Sequence, residues 1–485
     1  MKINSQDSAL IAEQLGLPPH QSSILRIICE ADRDMRTSEV IDLLPESSIS
    51  RQHAIRLIGD MVEQGILIKT GAGPQTAYTL NDRTIAKAYL QTDWLLRSEK
   101  PFNLDVIESY TPNQSRYLPA NDSSMMRMES LAAVPTADTL SEVVFRRFMI
   151  DFTWASSRLE GNTYSLLETI ELLENGKVAP KKSAHETQMI RNHGDAIGYV
   201  IENARNIQIS PVEIRSIHAL LSKELLPNPQ DEGRVRQSIV EVSGTAYRPE
   251  ASPHVLNEGL DMICRKAIQV KDPYEQSVFL MEQISYLQAF IDVNKRTARV
   301  VASLPLLRAG LCPLSFYGMN EEDYTKGLVS FYELNNSALT VDAYKEGYRS
   351  SVERFKLYKT RLADEASNNE SGYRPEASRL VSKFINSVAI GAVMPDAYGS
   401  FFRASMEQVD TLKRDALYIE ATRQLKSIDQ PTALAHGVSR MAFTAYQNSR
   451  KSLGLDSWIE DDSTGRVTEM PDIQDISDYP HPKPE

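Results

Sequence analysis

The sequence predicts a mainly α-helical protein that begins with a winged helix-turn-helix, and three observations support this prediction. Apolar residues recur at helical spacing from residue 141 to about residue 358, and residues 370–455 continue the same pattern. Residues 20–82 follow the order helix, helix, helix and β-hairpin. Residues 233–244 break the helical pattern with β-forming side chains between two glycines.

Five elements are predicted within residues 20–82. Helices cover residues 22–31, 38–44 and 51–64, and strands cover residues 66–70 and 76–80. Thr37 and Ser50 are expected to cap the second and third helices, because a hydroxyl group there can accept a backbone N–H bond. The apolar residues predicted to face the core are Ile24, Leu25, Ile27, Ile28, Ile55, Ile58, Met61 and Val62. The glycine-containing residues 71–74 predict the turn of the wing.

The third predicted helix is suited to DNA recognition, because helix-turn-helix proteins present the first residues of this helix to base edges. These residues are Ser50, Arg51, Gln52, His53 and Arg56. The module could instead serve protein contacts, since residues 20–82 carry more acids than bases. DNA affinity requires several cations that face phosphates. Both alternatives stay open at this point.

The composition favours a cytoplasmic protein. Of the 485 residues, 24% are charged and 41% are hydrophobic, as in ordinary soluble globular chains. The sequence has no apolar run of membrane-spanning length, so no membrane association is expected, and we expect no signal peptide. Cys29, Cys264 and Cys312 are far apart and lack metal-ligand spacing, which predicts reduced core residues.

The formal net charge of −12 is unevenly distributed. Residues 456–485 contain nine acids and two bases, so this tail alone carries −7. The tail has little to bury and is predicted to be disordered. The rest of the chain carries only −5, which leaves room for a local basic surface.

Residues 288–299 have the sequence Gln-Ala-Phe-Ile-Asp-Val-Asn-Lys-Arg-Thr-Ala-Arg, which favours a phosphate-binding loop at the start of a helix. Phe290 is expected to insert into the helical core and fix the loop. Asp292 suits Mg²⁺, an ion that combines one or two carboxylates with phosphate oxygens. Arg296 and Arg299 share one helix face and can hold phosphate oxygens. Taken as an isolated charge cluster, the same residues would be explained more simply as a surface salt-bridge network.

This run resembles the signature of the Fic and Doc families, which in Fic proteins is His-x-Phe-x-Asp/Glu-Gly-Asn-Gly-Arg-x-x-Arg. The matching residues are Phe290, Asp292, Asn294, Arg296 and Arg299. The sequence differs at three positions, with Gln288 in place of His, Val293 in place of Gly and Lys295 in place of Gly. Residues 294–297, Asn-Lys-Arg-Thr, are similar to the Doc variant. Other similar segments extend the resemblance from about residue 110 to residue 358.

The resemblance implies a site for ATP and Mg²⁺. The implied nucleotide-binding residues are Asn294, Lys295, Arg296, Thr297 and Arg299, and the implied metal ligand is Asp292. Gln288 occupies the position of the family's histidine, which takes the proton from a target hydroxyl group. A neutral amide cannot titrate, and loss of a general base costs about 10²–10⁴ in rate. Transfer activity is therefore expected to be impaired or absent.

Two further differences affect the expected chemistry. Glycine tolerates positive φ freely, whereas Val293 would do so only with strain, so the loop could differ in shape from a Fic loop. In Doc-like proteins a lysine at the position of Lys295 accompanies a different nucleotide orientation and phosphoryl transfer. Three histidines, His193, His218 and His254, lie in the helical region, and none of them is predicted to replace the missing base. His218 is expected to be a packing residue.

A second resemblance concerns residues 156–162, Ser-Ser-Arg-Leu-Glu-Gly-Asn, which are similar to the Fic inhibitory motif Ser/Thr-x-x-x-Glu-Gly/Asn. It implies that Glu160 pairs with Arg299 and blocks productive placement of the γ-phosphate. Taken alone, the same segment could be an ordinary helix end with Gly161 as its terminating residue.

The extended segment implies a protein partner. Its central residues, Ile239, Val240, Glu241 and Val242, are predicted to form a flap or hairpin. In Fic-like domains a flap at this position aligns a target segment by strand addition. The possible partners are therefore a nucleotide, a protein target at the flap and DNA at the winged helix, and a homodimer stays open.

The resulting domain organisation combines pattern and resemblance. The predicted parts are a winged helix-turn-helix (1–82), a connector (83–140), a Fic/Doc-like domain (141–358), a helical extension (370–455) and the acidic tail (456–485). The first functional hypothesis is an ATP-binding regulator with impaired or absent transferase activity. The alternative is an adenylyl- or phosphotransferase that modifies a protein hydroxyl group and is autoinhibited by Glu160. A third possibility is a purely structural interaction protein.

Overall fold

The computed structural model describes residues 3–31, 33–44, 49–133, 141–368, 374–406, 409 and 411–453. They belong to two compact units, one made of residues 1–134 and 148–353 and the other of residues 135–147 and 354–485. Helices dominate the described residues, as the sequence predicts. The predicted disordered tail, residues 456–485, lies outside the described residues. The domain boundaries drawn from the sequence stay a prediction.

Five helices and a small sheet form the N-terminal segment, which we define as residues 3–92. The helices are α1 (Ser5–Gln14), α2 (Pro19–Ala31), α3 (Thr37–Asp42), α4 (Arg51–Glu63) and α5 (Asp82–Gln91). The strands are β1 (Met35–Arg36), β2 (Leu67–Thr70) and β3 (Ala77–Leu80), in an antiparallel sheet of order β1-β3-β2. The predicted hairpin is present as β2 and β3, whereas α1 and β1 were not predicted.

The sequence explains most of these local features. Ser50 caps α4 by accepting the N–H of His53, as predicted. Thr37 does not cap α3: Arg36 occupies the cap position, and the carboxylate of Glu39 accepts its N–H. Ile55 is 45% exposed, contrary to prediction, because it lies on the outer face of α4.

The connection to the helical core contains a second, smaller sheet. Strand β4 (Lys100–Pro101) pairs in parallel with β5 (Tyr247–Arg248), which lies far along the chain. Two helices follow β4, namely α6 (Asp105–Glu108) and α7 (Ala120–Ala133). The parallel pairing of these two segments was not predicted, since neither has a strand-like pattern of its own.

Within residues 141–368, all of which the structure describes, the helical core has nine helices. They are α8 (Ser141–Arg158), α9 (Leu166–Asn175), α10 (Ala184–Asn203), α11 (Pro211–Ser222), α12 (Pro253–Ala267), α13 (Pro273–Leu287), α14 (Asn294–Arg308), α15 (Glu321–Leu334) and α16 (Ala338–Asn368). Every residue from 277 to 287 in α13 and from 296 to 306 in α14 is buried. A helix that is buried on all sides lies in the interior of a protein. The loop 288–293 therefore joins two interior helices.

The predicted flap, residues 233–244, contains no strand. Ile239 is 74% exposed, and the first strand after it is β5. Its β-forming residues have no neighbouring strand against which to pair, and β-propensity depends on such packing. The segment is thus an exposed irregular stretch, and the hairpin form of the prediction is wrong.

The second unit has helices as predicted. Beyond residue 373 they are α17 (Arg374–Ala389), α18 (Tyr398–Ser405), α19 (Thr411–Ser427), α20 (Gln430–Ala435) and α21 (Arg440–Ser452). Their core is aromatic, with Phe384 in contact with the rings of Phe401, Phe402 and Tyr446. Among the described helices of the whole chain, none is both long and apolar enough to cross a membrane.

Candidate functional site

Phe290 fixes the loop between α13 and α14. Its ring is fully buried and stacks on the imidazole of His218, with 3.8 Å between the ring centroids. Asn294 closes the loop around the same residue: Oδ1 accepts the N–H of Phe290 at 2.9 Å, and Nδ2 donates to its carbonyl at 2.8 Å. Phe290 inserts as predicted. Asn294, predicted to bind nucleotide, uses both ends of its amide to hold the shape of the loop.

Val293 adopts the left-handed conformation at the start of α14, with φ of +66° and ψ of +10°. A non-glycine residue reaches this region at a cost of about 1–2 kcal/mol. Two observations offset the cost: the Val293 side chain is buried, and its carbonyl accepts the Thr297 hydroxyl at 2.9 Å. Thr297, predicted to bind nucleotide, therefore directs its hydroxyl to the loop backbone.

Arg296 is a buried cation with unused hydrogen-bonding capacity. It is 4% exposed, and among the described residues its side chain makes one hydrogen bond, a 3.4 Å contact from Nη2 to Asp292. Its Nε and Nη1 atoms are buried, and the part of the chain that the structure describes offers them no hydrogen-bond partner. Burial lowers the pKa of the guanidinium, against the opposing effects of Glu160 and Asp292. Buried guanidinium N–H groups are almost always paired in proteins, so this arrangement calls for an anion.

No side chain caps α14, whose first turn lies beside Arg296. The first N–H groups of a helix have no intrahelical partner and carry the positive end of the helix dipole. Lys295, in the same turn, is 41% exposed and approaches Glu160 at 3.6 Å. The backbone and two cations of this turn thus attract anions, consistent with the phosphate-binding loop predicted within residues 288–299.

Arg299 is fully buried and pairs with Glu160, as the resemblance implied. Its Nη2 donates to Oε1 of Glu160 at 2.8 Å and to the carbonyl of Ser156 at 3.0 Å. The Nε atom donates to the Ser156 hydroxyl at 2.9 Å, and Nη1 lies 3.4 Å from the hydroxyl of Tyr324. Burial would raise the pKa of Glu160, but the charges of Arg299, Lys295 and Arg296 outweigh it and lower that pKa.

The Ser156 hydroxyl connects Arg299 to His193. It lies 3.1 Å from Nε2 of His193, whose Nδ1 lies 2.9 Å from the carbonyl of Met189. Because a carbonyl can only accept, Nδ1 carries the proton and Nε2 accepts from the serine. Burial lowers the pKa of His193 to about 3. This histidine is a neutral structural residue with both ring nitrogens in use.

His218 has a similar structural role on the other side of the loop. Its Nδ1 accepts the N–H of Gly233 at 2.9 Å, so Nε2 carries the proton and donates to the carbonyl of Asp292 at 3.1 Å. Burial lowers its pKa to about 4. The prediction that His218 is a packing residue is confirmed, and the residue also joins the flap to the loop.

Gln288 ends α13 in the left-handed conformation, with φ of +48°. It is 8% exposed, and its side-chain amide donates to the carbonyl of Ser285 at 2.7 Å. Its own carbonyl accepts a hydrogen bond from Nε of the buried Arg236 at 2.8 Å. The Gln288 side chain is therefore held against its own helix, and its amide has no titratable proton to exchange with a substrate.

Asp292 is the one acidic residue in the sequence 288–299, and it is exposed. Its side chain is 68% exposed, Oδ1 accepts the N–H of Val293 at 2.6 Å, and Oδ2 has only the long contact with Arg296. Among the residues that the structure describes, no group of three or more His, Cys, Asp or Glu residues could hold a metal ion. A lone carboxylate with open lone pairs fits Mg²⁺ if phosphate oxygens supply further ligands.

Sequence reasoning missed four residues that shape this site. Ser156, His193 and Tyr324 surround Arg299, and Arg236 holds the end of α13. Ser156 lies within the segment predicted to be inhibitory, which offered a partial indication of its place. A buried arginine such as Arg236 has no sequence pattern of its own, because arginine is usually a surface residue.

Comparison with known proteins supports the resemblance. Residues 208–306 match the model of the Fic/DOC family, so the chain carries a domain of that family and the predicted resemblance is confirmed at this level. The chain is 26% identical over 203 residues to a protein adenylyltransferase Fic of Nematostella vectensis, across 41% of this chain and 47% of the relative. It is 25% identical over 241 residues to protein adenylyltransferase fic-1 of Caenorhabditis elegans, across 48% of this chain and 46% of the relative.

The chain thus spans less than half the length of these two curated relatives. Similar solved structures include a fragment of Fic-1 from C. elegans, with 16% identity, a TM-score of 0.42 and coverage of 70% of this chain and 81% of that one. Another is a Fic domain containing signaling protein from Bacteroides thetaiotaomicron, with 17% identity and a TM-score of 0.43. The match covers 49% of this chain and 97% of that one.

The buried neutral state of His218 predicts a pH dependence of stability. Its pKa is lower in the folded protein, about 4, than the ordinary value of 6.5. The unfolded chain therefore binds the proton first, and the stabilisation present above pH 6.5 is lost as the pH falls toward 4, by up to about 3 kcal/mol. Replacing His218 with Gln should flatten the pH dependence of urea unfolding in this window. Exposed His254→Gln is the control and should leave the wild-type slope unchanged.

Proposed function

We propose that the loop 288–299 and the first turn of α14 bind the phosphates of ATP together with Mg²⁺. The observation that carries this proposal is the buried guanidinium of Arg296, whose Nε and Nη1 atoms lack hydrogen-bond partners among the described residues. A phosphate group offers acceptors to such a planar cation. The names of the relatives, protein adenylyltransferases, favour ATP as the nucleotide.

The residues of the loop would have three separate roles: holding phosphate oxygens, maintaining the loop shape and binding the metal ion. Arg296 and the exposed Lys295 would hold phosphate oxygens, and the open N–H groups of the first turn of α14 would add to them. Asn294 and Thr297 would maintain the loop shape through their backbone contacts. Asp292 would hold Mg²⁺, which when bound would neutralise phosphate charge.

Glu160 would restrain this site. It holds Arg299 at 2.8 Å and approaches Lys295 at 3.6 Å, so two cations of the motif face a protein carboxylate. A terminal phosphate placed near them would meet that negative charge. We infer that ATP binds in a restrained pose and that the protein is a regulator whose transfer activity is impaired or absent. The Gln288 amide supports this inference because it has no basic nitrogen.

The alternative is an adenylyltransferase that modifies a protein hydroxyl group and is autoinhibited by Glu160. The family domain and the names of the relatives favour it. In this case the attacking hydroxyl would lose its proton without help from residue 288, because His193 and His218 have both ring nitrogens in use. Transfer would then be slower by about 10²–10⁴ than in an enzyme with a base at this position.

A second function is proposed for the N-terminal segment, namely DNA binding by a winged helix. The supporting observation is the outer face of α4, where Arg51, Gln52 and Arg56 are exposed next to the capped helix start. Lys69 is exposed on β2 of the adjoining hairpin. Protein contacts through the same face remain the alternative, since the segment as a whole is acidic.

The binding proposal predicts the effect of removing the Arg296 charge. In Arg296→Met, the affinity for ATP with Mg²⁺ should fall at least about tenfold, the effect expected for losing charge-assisted hydrogen bonds. Isothermal titration calorimetry measures it directly. The control is Arg308→Met, an exposed arginine at the other end of the same helix, which should bind as wild type does. Equal affinities in all three proteins would rule out Arg296 as a phosphate ligand.

The restraint and the missing base predict a labelling pattern. Wild type, Glu160→Gly and the double variant Glu160→Gly/Gln288→His are incubated with α- or γ-labelled ATP and cell lysate. We expect protein labelling mainly in the double variant, because it lacks the restraint and has a base. Label from the α-phosphate would mean adenylyl transfer, and label from the γ-phosphate would mean phosphoryl transfer. Strong labelling by wild type would contradict impaired activity, and no labelling in any variant would argue against the enzyme alternative.

The DNA proposal predicts a loss of binding in Arg51→Ala/Arg56→Ala. The probe is a DNA fragment from upstream of the coding sequence of this protein. In an electrophoretic mobility-shift assay its affinity should fall at least about tenfold, since each contact to base or phosphate contributes about 1 kcal/mol or more. The control variant, Lys177→Ala/Arg308→Ala, removes the same charge from the helical core. No retardation by wild type, with or without ATP, would leave protein contact as the role of this face.

A further inference from the structure

The flap, residues 233–244, has its two ends held by different parts of the molecule. Its first end is attached to the nucleotide loop through Arg236, and its second end leads into β5, which pairs with the connection from the N-terminal segment. Between these attachments, residues 237–239 are exposed. The position of the exposed stretch is therefore determined at two separate attachments.

Arg236 forms the first attachment. The side chain is 2% exposed and donates to three carbonyl groups, those of Gln288, Ser238 and Glu250. Its backbone N–H donates to the carbonyl of Ala289 at 3.0 Å. Gln288 ends α13, and a cation is favourable at the C-terminus of a helix. This attachment joins the flap to the loop that carries the proposed phosphate site.

Glu333 forms the second attachment, near the end of α15. Its side chain is fully buried and accepts three different donors. The Tyr89 hydroxyl donates from α5 at 2.8 Å, Arg97 donates through Nη1 at 3.2 Å, and the N–H of Ala246 donates at 2.9 Å. Arg97 also donates to the carbonyls of Leu90 and Thr92, at the end of α5. One buried carboxylate thus bonds the N-terminal segment and the second end of the flap.

The strand pair β4–β5 reinforces this attachment. The N–H of Lys100 donates to the carbonyl of Ala246 at 2.9 Å, and that of Phe102 donates to Arg248 at 2.8 Å. On the other side, the Lys100 ammonium lies 2.6 Å from the fully buried carboxylate of Asp7 in α1. Asp7 also accepts the N–H of Ser98. The route from α1 to the flap therefore consists of consecutive charge-assisted and backbone hydrogen bonds.

We propose that the N-terminal segment controls the conformation of the flap through Glu333 and the β4–β5 pair, so that a ligand on one affects the other. The contacts that carry this proposal are independent of nucleotide binding, and it stands whether or not ATP binds at the loop. Its physical basis is the buried carboxylate of Glu333. This group accepts hydrogen bonds from Tyr89 in α5 and from Arg97, and it also accepts the N–H of Ala246, which follows the flap. Without the Arg97 guanidinium, its cationic donor, the buried carboxylate would be left with an uncompensated charge, which is strongly destabilising.

The test uses hydrogen exchange of the whole chain, measured by mass spectrometry with peptides that cover residues 97–104 and 233–248. In Glu333→Gln, exchange of the Ala246 amide should become at least about tenfold faster, as expected when a charged acceptor is lost. In Asp7→Asn, which changes a residue of α1, the Lys100, Phe102 and Ala246 amides should also exchange faster. This second variant shows whether the effect travels from the N-terminal segment to the flap.

The matched control is Asp342→Asn. Asp342 forms an ion pair with Arg83, so it also joins the N-terminal segment to the helical core, but the pair is about half exposed and neither residue bonds the flap. Exchange in residues 233–248 should stay as in wild type. Unchanged exchange in both Glu333→Gln and Asp7→Asn, or an equal increase in all three variants, would overturn the proposal. If Glu333→Gln does not fold, as judged by circular dichroism, Asp7→Asn and its control decide the outcome.

Discussion

Arg299 has no exposed surface, so every N–H of its guanidinium must find its acceptor inside the protein. The acceptors come from two other helices: Ser156 and Glu160 from α8 and the residues that follow it, and Tyr324 from α15. Removing one partner of such a buried pair typically costs about 3–5 kcal/mol, because a charge is left without compensation. The orientation of α14, and hence of the loop before it, depends on these bonds.

The shape of the loop follows from a second constraint. Its buried backbone N–H and C=O groups need hydrogen-bond partners inside the protein. Phe290 anchors the loop against His218, and Asn294 pairs both the N–H and the carbonyl of Phe290. With these groups fixed, Val293 has to adopt positive φ in spite of its branched side chain. The strain of about 1–2 kcal/mol is small beside the bonds that enforce it. The guanidinium of Arg296 keeps two donors, Nε and Nη1, that have no hydrogen-bond partner among the described residues, so unused binding capacity lies beside the first turn of α14.

The sequence predicted the features that arise from local pattern or from a motif of fixed spacing. Helices, the hairpin of β2 and β3, the insertion of Phe290 and the pairing of Glu160 with Arg299 belong to this group. It failed where distant segments decide the outcome. The β-forming side chains of residues 239–242 indicated a strand, but the structure gives them no partner, whereas Tyr247 and Arg248 pair with β4 without a strand pattern. Arg236 and Glu333 were not recognised because charged residues are expected at the surface.

Glu160 has two roles that any change at this position alters together. It compensates the buried charge of Arg299, and in the function proposed above it would also limit the space and charge available to a terminal phosphate. Without Glu160, Arg299 keeps only neutral acceptors from Ser156 and Tyr324, so the folded protein carries an excess of buried positive charge. A bound phosphate would supply the missing negative charge. A gain of nucleotide affinity on removing Glu160 can therefore arise from the uncompensated arginine as much as from released space, and only a measurement of transfer distinguishes the two origins.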